Sequence, residues 1–143
     1  MNDTILLPHD LDAERALLAS IALENSTLKE ALRLGIESSD FDLSIHQRIY
    51  QSALVLAARG DPIDLVTLTS DLKEAGLLES EVDRVTIMKL CDGQQRSSHI
   101  TAYAARVAEC ARRRRIMRYA NALVQAAGNG TSSEKLDEQI AEA

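Results

Sequence analysis

Thirty consecutive residues, Ser98 to Ala127, contain neither glycine nor proline. A helix over that stretch would be about 45 Å long at ~1.5 Å per residue, more than a compact domain of this size needs, so part of it must project. Gly128-Asn129-Gly130 then ends it, and Thr131 with Glu134 has the spacing of a capping box for a second helix carrying Leu136 and Ile140. A long helix, a tight glycine turn and a new helix make an antiparallel hairpin. The second arm is only about ten residues, a length at which isolated helices are marginal in water. The first arm therefore outruns its local partner. Either another chain covers it, or the chain continues in a longer parent.

The same helix carries a reversal of charge. The chain has a net charge of −6, yet Arg106 to Arg118 holds six arginines and one glutamate, a local +5 that leaves −11 for the rest. Asymmetry of this kind marks a contact surface. Arg112 to Arg115 sweep about 300° around the helix axis, so at least one must face whatever packs there. Before this run, Ile100, Tyr103, Ala104, Val107 and Ala111 make one apolar stripe. After it, Ile116, Ala120, Leu123 and Ala127 make another, out of phase by roughly one residue, so the helix can serve two contact faces. Three readings of the arginines stay open: a solvated basic band with snorkelling stems, inter-subunit ion pairs with the acidic remainder, or phosphate contacts. No aromatic residues interleave with them, which disfavours stacking on single-stranded nucleic acid.

Upstream, cap and turn residues divide the chain into five shorter helices. Asp10 caps the first, to about Leu23, with Leu17, Leu18 and Ile21 on its apolar face. Glu14 shares that face. The dipole accounts for a first-turn carboxylate, and a buried or inter-subunit hydrogen bond is the alternative. Ser26 or Thr27 opens a second helix to about Leu34, which Gly35 stops. The third begins near Leu43 and aligns Ile45, Ile49, Ala53 and Leu56, flanked by His46, Tyr50 and Ala57. Gly60-Asp61-Pro62 turns the chain, and Asp64 caps a fourth helix through Leu65, Leu68, Leu72 and Ala75. Val66, Thr67 and Thr69 favour a strand there, but the continuation to Leu72 and the stop at Gly76 favour helix. Ser80 opens a fifth to about Cys91, with Val85, Ile87, Met88 and Cys91 as core candidates. Gly93 to Arg96 is a polar break.

The expectation is an all-α chain: a flexible tail over 1–9, a compact multi-helix head over 10–96, and a long helix with helical hairpin over 97–143. With one Phe and three Tyr among 143 residues, the clustering of Phe41 and Tyr50 locates the core. The expected core is Leu17, Leu18, Ile21, Phe41, His46, Ile49, Tyr50, Leu65, Leu68 and Leu72. A chain of this size holds such a core without staples.

The search for catalytic chemistry is mostly negative. No glycine is followed by lysine, so there is no phosphate loop, and there is no G-x-S-x-G, no H-E-x-x-H and no Cys/His pair at zinc spacing. Asp10-x-Asp12 and Asp40-x-Asp42 are better placed as caps or turns than as metal ligands. His46 suits a core histidine bonded to a carbonyl better than a general base. No catalytic, cofactor or metal residue is expected. Cys91 and Cys110 read as free thiols of a reduced, cytoplasmic protein, and no apolar run reaches the roughly 20 residues of a membrane span.

The ordered residues resemble the N-terminal domain of the DnaB family, the replicative DNA helicases of bacteria and their phages. Leu7-Pro8-His9-Asp10-Leu11-Asp12-Ala13-Glu14-Arg15-Ala16-Leu17-Leu18 is similar to its opening motif. Phe41, His46, Ile49 and Tyr50, then Gly60, Pro62, Ile63, Asp64, Thr67 and Leu68, then Leu72 and Gly76, follow its central pattern. Tyr103, Val107, the arginine run and Ile116 resemble its long hairpin helix, and Thr131 to Leu136 the start of the second arm. The likeness covers residues 6 to 143. Ala19 stands where the family often has glycine, Glu81-Val82-Asp83-Arg84 stands at a usual glycine pair, and the ATPase domain with its phosphate loop is absent.

The resemblance implies a non-catalytic collar above a ring of motors, which assembles as a homo-oligomer, dimer to hexamer, and docks primase and a helicase loader. ATP and Mg would belong to the parent helicase, and DNA would be bound mainly by the absent domain. On this view the contact residues are Tyr103, Arg112, Arg113, Arg114, Arg115, Ile116, Met117, Tyr119, Ala120, Leu123 and Val124, with the arginines pairing across subunits. A stand-alone helical regulator, or a nucleic-acid-binding adaptor using Arg112 to Arg115, is the alternative.

Overall fold

The computed structural model describes residues 6–94 and 98–142, and the described residues form helices joined by turns, with no strand among them. The start of the expected tail, residues 1–5, and residues 95–97, which include the second half of the polar break, lie outside the described residues. Helix α1 (Leu11–Leu23) begins where the Asp10 carboxylate accepts the Ala13 N–H at 2.9 Å. That N–H, and then the Arg106 guanidinium, hold the Asp10 carboxyl below its usual pKa. Leu17, Leu18 and Ile21 face inward and are buried. Helix α2 (Thr27–Arg33) follows without a side-chain cap from Ser26. Asn25 ties the end of α1 to the distant Ile63: its Nδ2 donates to the Ile21 and Ile63 carbonyls at 2.9 and 2.7 Å, and its Oδ1 accepts the Ile63 N–H at 2.9 Å.

A 3-10 turn (Ser38–Asp40) leads into α3 (Ser44–Arg59), the central helix of the head. It buries Ile45, Ile49, Ala53 and Leu56 as one stripe, with His46 and Tyr50 beside it, while Ala57 is exposed. The Phe41 and Tyr50 rings lie 5.1 Å apart, a favourable tilted pair, and the Tyr50 hydroxyl donates to the Ile36 carbonyl at 2.8 Å.

Helix α4 (Leu65–Glu74) forms despite its β-branched start, because Asp64 and Thr67 cap each other's backbone. The Asp64 carboxylate accepts the Val66 and Thr67 N–H groups, and Thr67 Oγ1 accepts the Asp64 N–H, each at 2.9 Å. Local hydrogen bonding thus outweighs strand propensity there. Leu68 and Leu72 are buried, Leu65 is half-buried against the core, and Ala75 is exposed.

The fifth helix corrects the sequence reading. Helix α5 (Glu81–Met88) opens on Ser80 as expected but stops three residues short of Cys91. Past Met88 the backbone tightens into i→i−3 turns, the Leu90 N–H reaching the Ile87 carbonyl (3.0 Å) and the Asp92 N–H the Lys89 carbonyl (3.1 Å), and the Arg15 guanidinium fastens these turns to α1 by donating to the carbonyls of Lys89 (2.8 Å), Leu90 (3.2 Å) and Asp92. Ile87 and Leu90 face inward; Val85 and Met88, expected in the core, are 44% and 68% exposed, and Cys91 is half-buried against the core.

Helix α6 (Ile100–Gly128) and α7 (Ser133–Glu142) complete the chain. Two compact units divide within α6: one is His9–Ala111, the other Arg112–Ala143 together with Met1–Pro8. The sequence reading drew its boundary at the polar break, residues 96/97. The head extends further because Ala104 and Val107 complete its core, with Ile100, Tyr103 and Ala108 packed against it. In this unit Arg106 pairs with Asp10 at 2.9 Å.

Candidate interaction surface

Helix α6 buries residues at helical spacing through its first half: Ala104, Val107, Ala111 and then Arg114, none more than 2% exposed. An arginine thus takes the last place of an apolar stripe. Its Nη1 donates to the Pro8 carbonyl at 3.1 Å. Arg114 is therefore the inward member of the arginine run, as the 300° sweep requires of at least one. Arg112, Arg113 and Arg115 are exposed. Tyr103, expected on the contact face, packs against the head's own core.

Beyond Arg114 burial collapses. Among the described residues after Ala111, no apolar side chain is buried. Met117, Leu123 and Ala126 are half-buried, Ala120 and Ala127 are exposed, and Ile116, Tyr119 and Val124 are 57%, 38% and 66% exposed. The two arms of the hairpin meet where the Tyr119 hydroxyl donates to the Gln139 carbonyl. A shallow groove of about 370 Å³ lies there, lined by Tyr119, Ala122, Leu123 and Ala126 of α6 and Gln139 and Glu142 of α7. In α7 itself Leu136 is half-buried and Ile140 57% exposed.

The turn between the arms follows from its glycine. Gly130 sits at φ 84°, and the Thr131 N–H reaches back to the Ala126 carbonyl at 3.1 Å, the 6→1 bond of a Schellman close. That bond removes Thr131 from the capping role expected of it. Ser132 caps instead, its hydroxyl accepting the Lys135 N–H at 3.3 Å.

Electrostatically the arms differ. Arg112 to Arg118 contributes five positive charges, whereas α7 holds Glu134, Asp137, Glu138 and Glu142 against Lys135 alone. The unit offers a basic arm, an acidic arm and uncovered apolar side chains between them. Apolar side chains framed by charges of both signs are the composition of protein-binding surfaces.

The other polar concentration lies inside the head, where Glu14 takes the buried hydrogen bond that was the alternative to a dipole-favoured carboxylate. Glu14 is 1% exposed, so it is no solvated dipole carboxylate. Its Oε1 lies 2.9 Å from His46 Nδ1, and its Oε2 accepts the Asp42 N–H at 2.9 Å. His46 is buried as expected, but its partner is this carboxylate rather than a carbonyl. His9 Nδ1 lies 3.5 Å from the Asp42 carboxylate. The signal was present in the sequence: an acid on the apolar face of α1 needs a buried partner. With Glu14 and His46 closed to solvent, the pair joins α1 to the N-terminus of α3 as a strut. Asp10 and Asp40 are occupied as caps, Asp40 accepting the Glu37 N–H at 2.8 Å, and no cluster of three or more metal-ligating side chains occurs among the described residues.

Comparison with known proteins gives a consistent result. A family model described as the DnaB-like helicase N terminal domain matches residues 6–109. The chain is 34% identical over 143 residues to the replicative DNA helicase DnaC of Bacillus subtilis, covering 100% of this chain and 31% of that protein. It is 34% identical over 119 residues to the replicative DNA helicase DnaB of Geobacillus stearothermophilus, covering 82% and 26%. The chain thus spans about a third or less of the curated relatives it matches. Among solved structures it is similar to the N-terminal domain of DnaB helicase from Mycobacterium tuberculosis, with a TM-score of 0.84 at 26% identity over 96% of this chain and all of that one. It is also similar to the N-terminal domain of DnaB helicase from Helicobacter pylori, described with its interactions with primase, with a TM-score of 0.70 at 24% identity over 82% and 90% of the two chains.

Proposed function

The chain belongs to the DnaB-like helicase N-terminal domain family, and we propose that it acts as the non-catalytic collar of a replicative helicase, holding subunits together and docking primase. The single observation that carries this reading is the second half of α6, which presents Ile116, Tyr119 and Val124 to solvent beside exposed arginines. Surfaces of this kind require a partner. The primase interactions described for the Helicobacter pylori domain support primase as one occupant. The acidic α7 and basic α6 arms support a second copy as another, Arg112, Arg113 and Arg115 meeting Glu134, Asp137 or Glu138 across subunits. ATP hydrolysis and strand separation are assigned to the motor of the parent helicase.

The test uses Ile116→Asp and Leu123→Asp, singly and together. Light scattering should show lost self-association and pull-down lost primase binding, while helicity and melting temperature stay near those of the parent. Association of the parent should also weaken as salt rises from ~50 mM to about 0.5 M, since exposed ion pairs are screened. Unchanged association and primase binding in the double variant would falsify the placement. Retention of tight, salt-sensitive DNA binding would instead favour the nucleic-acid reading.

A further inference from the structure

The chain has asparagine at positions 2, 25, 121 and 129, and of these Asn129 alone is followed by glycine. The pair closes the hairpin. Asn129 is exposed, and no hydrogen bond from its side chain occurs among the described residues. Its carboxamide is therefore unrestrained beside the next peptide group, which is itself lightly held. The Gly130 N–H reaches the Ala127 carbonyl at 3.4 Å, long for a hydrogen bond. A Cβ built on Gly130 would meet nothing within 4 Å, so its backbone nitrogen is open to approach. The other described asparagines are protected. Asn25 precedes Ser26, but its carboxamide is fixed at three points, donating to the Ile21 and Ile63 carbonyls at 2.9 and 2.7 Å and accepting the Ile63 N–H at 2.9 Å. Asn121 is exposed but lies within α6, and the following Ala122 N–H belongs to the helix ladder.

We propose that Asn129 is a site of spontaneous deamidation, and that the modification opens the hairpin. The Gly130 backbone nitrogen, having given its proton to solvent base, attacks Cγ of Asn129. A C–N bond forms, the Cγ–Nδ2 bond breaks, and the nitrogen leaves as ammonia, its third proton taken from water. The product is a cyclic imide. Water then adds to one of the two imide carbonyls. Breaking the bond from Cγ to the Gly130 nitrogen gives aspartate, and breaking the main-chain bond gives isoaspartate; nothing is oxidised or reduced. Attack requires Asn129 to leave its helical conformation, since its own N–H still bonds the Gln125 carbonyl at 3.0 Å. A helix end held by a ten-residue arm opens at little cost, so the reaction proceeds from the opened turn. Either product places a negative charge at the C-terminal end of α6, where the helix dipole is also negative. Isoaspartate further adds a methylene to the backbone between residues 129 and 130. The Thr131 N–H then no longer falls on the Ala126 carbonyl it meets at 3.1 Å. Without that turn α7 is too short to stay helical alone, and its contact with the Tyr119 hydroxyl goes with it. The chemistry is independent of what the hairpin docks.

The test incubates the whole chain at mildly acidic and mildly alkaline pH and maps it by tryptic digestion and mass spectrometry, with isoaspartate read by enzymatic methylation. Asn129 should convert at least ~10-fold faster than Asn25 or Asn121, the order set by opening a helix end against opening a helix interior or the core. Conversion should be faster at the alkaline pH, because the Gly130 amide must lose its proton. Asn129→Gln should remove the ammonia released from this site, since ring closure then needs a larger ring. Gly128→Ala, which holds the end of α6 in helix, should slow conversion by up to ~5-fold. The converted chain, separated by ion exchange, should have lost helicity. Asn129→Asp supplies the charge without the inserted methylene and should lose less. Conversion at Asn129 no faster than at Asn121, or ammonia release unchanged in Asn129→Gln, overturns the site. A converted chain as helical as the parent overturns the opening of the hairpin.

Discussion

Replacing Glu14 by Leu would strand two donors, the His46 ring N–H and the Asp42 N–H, both held at 2.9 Å in the parent. Breaking a buried hydrogen-bonded pair costs about 3 kcal/mol. Glu14→Gln keeps one acceptor oxygen and should lose less; urea unfolding of both variants checks the order. Tyr50 supplies a pH test. Burial, with smaller contributions from Asp40 and Glu37, pushes its hydroxyl up to about 12. An acid whose folded pKa lies above its unfolded value of ~10 stabilises fully below pH 10 and loses that contribution as pH rises toward 12. Alkaline melts should therefore show stability falling between about pH 10 and 12, and the fall should be absent in Tyr50→Phe. The apolar partners at this scale were legible from spacing. Glu14, His46 and Arg15 were not assigned their partners, because those lie 32 residues away for the first two and about 75 for Arg15.

At the scale of the element, local rules carried far. Asp10, Asp64 and Ser80 cap the helices they were expected to cap, since each needs only the next three residues. The hairpin turn gives a sharper test, because its two glycines differ. Gly130 has φ 84° and Gly128 an ordinary helical backbone, and a Cβ meets nothing within 4 Å at either. Gly130→Ala should destabilise the turn by roughly 1 kcal/mol, while Gly128→Ala should be neutral or stabilising by up to about 1 kcal/mol. Thermal melts followed by helicity read the opposite signs. The failures have a tertiary cause. Helix α5 gives way early to turns whose carbonyls a side chain from α1 holds, and the cap of α7 falls on Ser132 while the Thr131 N–H closes the preceding helix.

For the molecule as a whole, apolar burial and charge are separated along the chain. The head has a closed core into which Ala104 and Val107 fit, whereas the described residues after Ala111 bury no apolar side chain. No helix among the described residues is long and apolar enough to cross a membrane. The sequence by itself determined the all-α class, the order of the helices, the over-long α6 and its charge reversal. Each of these follows from periodicity, caps and composition, which act within a few residues. Only the tertiary structure decided that Arg114 is the arginine turned inward, that Glu14 and His46 form a buried strut, that the head reaches Ala111, and that α5 faces outward. Those outcomes depend on which distant backbone groups and side chains arrive at the same place, and no local pattern fixes that.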